Sequence, residues 1–153
     1  MTIPAPSVAA VYAYLLDAIP AQFPADSGIG MYLGDPGNEP ELQFVQITDV
    51  RMAWSPATMI GSGGEDWLKE GFSVNVKVAA AGAVANFTTD PLVIVDQAWQ
   101  LVTYVVTAVR EDPGLGGLAL VAYPQAAIGG APVACNIGRK SELIVPIAIE
   151  QLN

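Results

Sequence analysis

REDPGLGG, residues 110 to 117, separates two apolar stretches in a chain that is 52% hydrophobic. Two acids, a proline and three glycines in eight residues allow two readings. Carboxylates beside a glycine loop could form a site. Alternatively, the stretch stops a helix and starts a hairpin. Asp112 and Pro113 oppose helix continuation, and Gly114, Gly116 and Gly117 permit the positive φ that a tight turn demands. The order of elements around it bears on that choice.

Upstream, Asp90-Pro91 has the form of a helix start, with an acid at the N-cap and proline at the first helical position. Leu92, Val95, Trp99, Val102, Val106 and Val109 then recur at helical spacing, predicting a helix of about 20 residues, roughly 30 Å long. Many β-branched residues lower its propensity, but length and start signal favour it. Trp99 reads as core. Downstream, residues 118–126 and 143–150 read as strands. Pro146, lacking an N–H, places the last strand at an edge or turns that position outward.

Further upstream, GFSVNVKVA (71–79) alternates cleanly. Phe72, Val74, Val76 and Val78 point one way; Ser73, Asn75 and Lys77 point the other, as on a half-buried strand. Residues 42–54 also read as a strand, with Phe44 and Val50 on one face and Val45 and Ile47 on the other, so both faces are partly covered. A short strand is expected at 29–33, and GDPGNEPE (34–41) has turn chemistry. Residues 7–18 read as a helix capped by Ser7, with Val8, Val11, Tyr12, Leu15 and Ile19 inward and Pro20 and Pro24 ending it. Residues 55–66 have no periodicity and read as a flexible loop. The sum is a single α+β domain over 1–153: a mostly antiparallel sheet packed with one short N-terminal helix and one long central helix.

Composition removes several chemistries. With no histidine, His-dependent nucleophiles and HExxH zinc sites are excluded. Cys135 is the only cysteine, so no internal disulfide or thiolate cluster can form, which fits a reducing cytoplasm; it reads as a small buried hydrophobe. Fifteen acids against six bases, a formal charge of −9, argue against duplex binding. The first base is Arg51, so a signal peptide's positive start is missing. The most apolar run, 92–109, carries Asp96, Gln97 and Gln100 and is not read as a membrane span.

GSGG (61–64) and GLGG (114–117) lack the context of a phosphate loop. GLGG follows a helix and precedes a strand, the reverse of a dinucleotide fingerprint. GRKS (138–141) has no glycine five residues before Gly138. Glu65-Asp66 and Glu111-Asp112 are paired acids, read as solvated beside flexible glycines rather than as a metal site. No catalytic, cofactor or metal-binding residue is therefore assigned. Arg139-Lys140, following glycine and preceding the last strand, stands out in so acidic a chain. It is read either as a solvated turn or as a contact with an acidic patch on another subunit or partner. Trp54 and Trp67 flank the loop and are candidate contacts, because aromatics are enriched where surfaces meet.

The order of these elements resembles the tail terminator (tail completion, minor tail) proteins of long-tailed bacteriophages. EGFSVNVKV (Glu70–Val78) matches the family's alternating strand. DPLVIVDQAWQLVTYVVTAVRED matches its helix, Asp112 to Gly117 its D-x-x-LGG turn, and Gly138-Arg139 with residues 143–150 its last strand. The family often has an arginine two residues before the glutamate of the alternating strand. Here that position is Leu68, beside Lys69, so no role is carried over. Residues 55–66 match no family pattern.

The resemblance implies a non-enzymatic virion protein assembled in the host cytoplasm. It would form a ring, commonly a hexamer, on the last ring of tail tube protein. It would end tube growth and present a joining surface to the head-tail connector or neck. DNA would pass through the lumen without specific binding, and Asp and Glu are expected to line it. On this reading REDPGLGG is an architectural turn. The alternatives are another neck ring component or, in a different class, a small acidic ligand-binding or carboxylate-dependent enzyme domain.

Overall fold

The computed structural model describes residues 8–37, 41–56, 68–82, 91–135 and 138–151. Helix α1 (Val8–Ala18) leads through a 3-10 turn (Pro20–Gln22) to strand β1 (Gly30–Leu33), β2 (Gln43–Pro56) and β3 (Leu68–Gly82). Helix α2 (Pro91–Glu111) follows, then a 3-10 turn at Leu115–Gly117 and β4 (Val121–Pro124). Two short strands, β5 (Ile128–Gly129) and β6 (Val133–Cys135), precede the long β7 (Gly138–Gln151). The fold is α+β, as the patterning predicts. Among the described residues the sheet has seven strands in the order β1-β2-β3-β7-β4, with β5 and β6 also on β7. Among these same residues, only the β1–β2 pair is parallel.

One face of the sheet is the core. Phe72, Val74, Val76 and Val78 of β3 and Leu143, Val145, Ile147 and Ile149 of β7 are buried there under the helices. α1 packs beside β1, and α2 crosses β3, β7 and β4. Val11, Leu15 and Ile19 are the buried residues of the first helical segment, with Val8 and Tyr12 partly buried beside them. Ser7, the expected cap of α1, and Asp90, the expected cap of α2, lie outside the described residues.

β2 corrects the expectation of two covered faces. Ile47 opposes Val76, yet Asp49 opposes Asn75, so Thr48 is an extra residue in a β-bulge. One added residue inverts the alternation beyond it. Val45, Ile47, Val50 and Met52 therefore oppose Val78, Val76, Val74 and Phe72 and share the core face. Ser55 and Pro56, expected in the loop, extend β2, while 57–67 lie outside the described residues.

β7 corrects a second expectation, because it is not an edge strand. β3 pairs along one side of it and β4, β5 and β6 along the other. The three short strands form one interrupted strand. Pro124 opposes Ile147, but Ile128 opposes Ile144 where an unbroken register would reach Leu143. Gly129 opposes Leu143, but Val133 opposes Lys140 where an unbroken register would reach Arg139. One edge residue is thus looped out at each break. Pro146 is accommodated at the first break. Its carbonyl accepts from the Gln125 N–H at 2.7 Å, so its nitrogen points to the same side. The missing N–H therefore falls in the gap between β4 and β5, so β7 takes the proline without being an edge strand.

α2 corrects a third. Its buried residues are Ile94, Ala98, Leu101, Val102, Val105, Ala108 and Val109. Of the stripe expected inside, only Val102 and Val109 are buried; Trp99 is 44% exposed rather than core. By length and composition alone, α2 is long and apolar enough to cross a bilayer, a test that the core helix of a soluble protein also passes. One apolar face packs on the sheet, while Leu92, Val93 and Trp99 remain exposed on the other side.

Candidate functional site

Three surfaces hold the residues singled out by sequence. The first is the 110–117 turn. Asp112 accepts two hydrogen bonds on one carboxylate oxygen, from the Tyr14 hydroxyl at 3.0 Å and from the Gly116 N–H at 2.8 Å. Glu111 accepts from the Gln22 amide at 2.7 Å. The paired acids are therefore engaged by the N-terminal helical segment and are not simply solvated, as their glycine neighbours suggested. Leu115 is fully buried and pins the turn to the core. Gly116 and Gly117 have φ of 67° and 90°, the left-handed region that glycine enters without a Cβ clash. Gly114 has φ of −82°, so its expected positive φ is not needed; Leu115 takes that conformation instead, at 49°. Partial burial, then the hydrogen bond to Asp112, pushes the Tyr14 hydroxyl pKa above its ordinary value. Nothing in this set resembles a reactive pair. Its geometry joins α1, α2 and β4.

The second surface surrounds Arg139 and Lys140. These residues are not a turn before the last strand. They are its opening residues, paired with Ala134 and Val133 of β6 and with Gly82 and Ala81 of β3. Arg139 is exposed. Lys140 lies 2.7 Å from Glu142, which is also 3.5 Å from Lys77 of β3. Burial pushes the Glu142 carboxyl up, but the ammonium groups of Lys140 and Lys77 outweigh it and hold its pKa below the usual range. Alternation along β7 puts Glu142 on the face of Lys140, but Lys77 joins them only through the β3–β7 register, which the sequence alone does not show.

The third surface is the β2 bulge. Asp49 accepts from the Thr48 hydroxyl at 2.8 Å and from the Asn75 side-chain amide at 3.1 Å. Those bonds hold its carboxyl pKa below the ordinary value. Trp54 belongs to β2, opposite Glu70, and Trp67 lies outside the described residues. The structure therefore does not bring Arg139, Lys140 and the two tryptophans into one described cluster. Among the described residues, no three of His, Cys, Asp and Glu converge as a metal site.

The exposed apolar residues have their own distribution. Leu120, Tyr123, Ile128, Val133 and Ile144 lie on β4, β5, β6, their approach and the adjoining β7. Leu33 lies at the opposite, β1 edge, and Leu42 just before β2, where its carbonyl accepts from the Ala81 N–H of β3. The β1 edge also carries Asp26, Asp35 and Glu41, all exposed, and no lysine or arginine occurs before Arg51. The Tyr32 hydroxyl donates to Glu41 and lowers its carboxyl pKa. Compared with models of known families and with curated proteins, the chain matches none.

Proposed function

We propose that this chain is a structural ring subunit that closes the end of a phage tail tube and offers a joining surface to the neck. One observation carries the reading: the order of elements, running from a short helix through the β2–β3 hairpin to a long helix. An LGG turn then returns the chain to the sheet and into the last long strand. That is the order on which the resemblance to tail terminators rests. The open sheet supports the same reading. A ring subunit needs two different surfaces that fit each other, so that contacts close after a fixed rotation. Under this proposal the side chains position surfaces, and no bond of a substrate is made or broken.

The test is end-capping. Purified tail tubes are mixed with the full chain, and tube length and tube ends are followed by negative-stain microscopy. Capped ends and arrested growth are expected. Tubes that keep growing with bare ends in excess protein overturn the proposal.

A further inference from the structure

The sheet has two lateral edges of unlike chemistry. At the β1 side, Leu33 on β1 is 52% exposed and Leu42, just before β2, is 49% exposed, with Asp26, Asp35 and Glu41 also exposed there. No base falls in residues 24–42. At the other edge, Ile128 is 71% exposed and Val133 56% exposed. Beside them on β7 lie Arg139 and Lys140 against Glu142, with Lys77 one strand further in on β3. An acidic edge thus stands opposite a larger apolar edge backed by Arg139 and Lys140 against Glu142. In a chain of formal charge −9, that second edge is the exception.

The breaks in β4–β5–β6 decide how such edges can meet. Two looped-out residues, with Pro124 and Pro132, deny a neighbour a continuous row of backbone groups. An added β-strand is therefore excluded as the mode of contact there, and side chains must make it. We propose that the β1 edge of one copy seats against the β4–β5–β6 edge of the next. Leu33 and Leu42 then cover Ile128 and Val133, and Asp35 and Glu41 face Arg139 and Lys140. The two surfaces differ, so the contact is head-to-tail and propagates around a closed ring rather than ending at a two-fold dimer. Complementary charge supplies the register, and apolar contact supplies the attraction. The inference rests on the reading of the chain as a ring subunit and names the surfaces by which copies meet.

The test uses the full chain in a Cys135→Ala background with Leu33→Cys, with Val133→Cys, or with both, treated with a short bis-maleimide. Both target side chains are exposed, and circular dichroism checks that the fold is kept. The expected result is a ladder of covalent oligomers from the double variant and one heterodimer band from mixed single variants. Neither single variant should link to itself. Asp35→Lys in the Leu33→Cys chain, or Arg139→Glu in the Val133→Cys chain, lowers the yield several-fold; combining the two restores it. Self-linking of a single variant as efficient as the mixed pair, or no linking in concentrated solution and on tube ends alike, overturns the contact. Capped tubes without a ladder would leave the tail-end proposal standing and remove this surface pair. A ladder with bare tubes would do the reverse.

Discussion

Tyr14, on α1, donates its hydroxyl hydrogen at 3.0 Å to Asp112, 98 positions later in the chain. The same carboxylate oxygen accepts the Gly116 N–H, so one acid ties the N-terminal helix to the turn after α2. The bond is partly buried, and its energy depends on both partners. Tyr14→Phe should cost about 0.5–1.5 kcal/mol, and Asp112→Ala, which also leaves the Gly116 N–H without its acceptor, about 1–3 kcal/mol. Urea unfolding of the two single variants and the double variant should reveal non-additivity. Strictly additive losses would mean that the two residues are not coupled.

The three glycines of the turn should respond unequally. Gly116→Val meets a φ of 67° and would place its Cβ 3.3 Å from the Tyr14 ring. Gly117→Val meets a φ of 90° with open space around it. Either change should cost about 1–3 kcal/mol in backbone strain alone, and Gly116→Val more because of the ring. Gly114→Ala, at negative φ with its nearest neighbours at 3.7 Å, should be neutral or stabilising by up to about 1 kcal/mol. Equal losses at all three positions in thermal unfolding would refute this assignment.

The legible parts of the fold are those in which local pattern and tertiary environment agree. Phe72 to Val78 alternate without interruption because β3 is paired on both sides and has no bulge within that stretch. Asp112 to Gly117 could be read as a turn because proline and glycine act through the backbone itself. Other features are not encoded locally. The edge strand is cut into pieces of 4, 2 and 3 residues, and the last two are too short to carry a period. The Lys77–Glu142–Lys140 group exists only through the β3–β7 register. Val50 faces the core, and not the side of Phe44 that plain alternation predicts, because Thr48 is one extra residue, and nothing about a threonine in a strand announces a bulge.

That bulge gives a third prediction. Removing Thr48 would leave Ile47, Asp49 and Val50 opposite Val76, Asn75 and Val74 in unbroken alternation, with the same residues still facing the core. Its side-chain bonds to Asp49 and the Asn75 carbonyl are exposed, so the loss should stay within about 1–2 kcal/mol. Deleting Lys77, from a strand paired on both sides, turns half of β3 to the wrong face and should abolish cooperative unfolding. A chain that tolerates the Lys77 deletion but not the Thr48 deletion would contradict the register.

Acid should weaken the sheet through Glu142. Its folded pKa is depressed below the ordinary 4.5 by Lys140 and Lys77. A depressed carboxyl contributes stability above its unfolded pKa and loses it as pH falls through the folded value. Part of the stability lost below about pH 4.5 should therefore disappear from the pH profile of Glu142→Gln. The effect is modest because the group is partly exposed. Asp49, held low by Thr48 and Asn75, contributes with the same sign at lower pH. An unchanged acid limb in Glu142→Gln, measured by chemical denaturation from pH 3 to 7, would remove Glu142 from the account.

The two stripes of α2 separate packing from exposure most directly. Leu92, Val95, Trp99 and Val106 follow helical spacing as well as the buried set does, because α2 is apolar on more than one side. The buried side includes two small residues, Ala98 and Ala108, beside Ile94, Leu101, Val102, Val105 and Val109. Hydrophobicity alone undervalues alanine, so the stripe of larger residues is the one that sequence periodicity brings forward. Leu101→Ala should cost about 2–5 kcal/mol by leaving a cavity, and Ala98→Leu about 1–3 kcal/mol by forcing the helix off the sheet. Trp99→Ser, at a residue 44% exposed, should cost no more than about 1 kcal/mol despite removing the largest side chain on the helix. Guanidinium unfolding of these three variants orders them, and a Trp99→Ser loss as large as that of Leu101→Ala would mean that the helix is rotated about its axis relative to this structure.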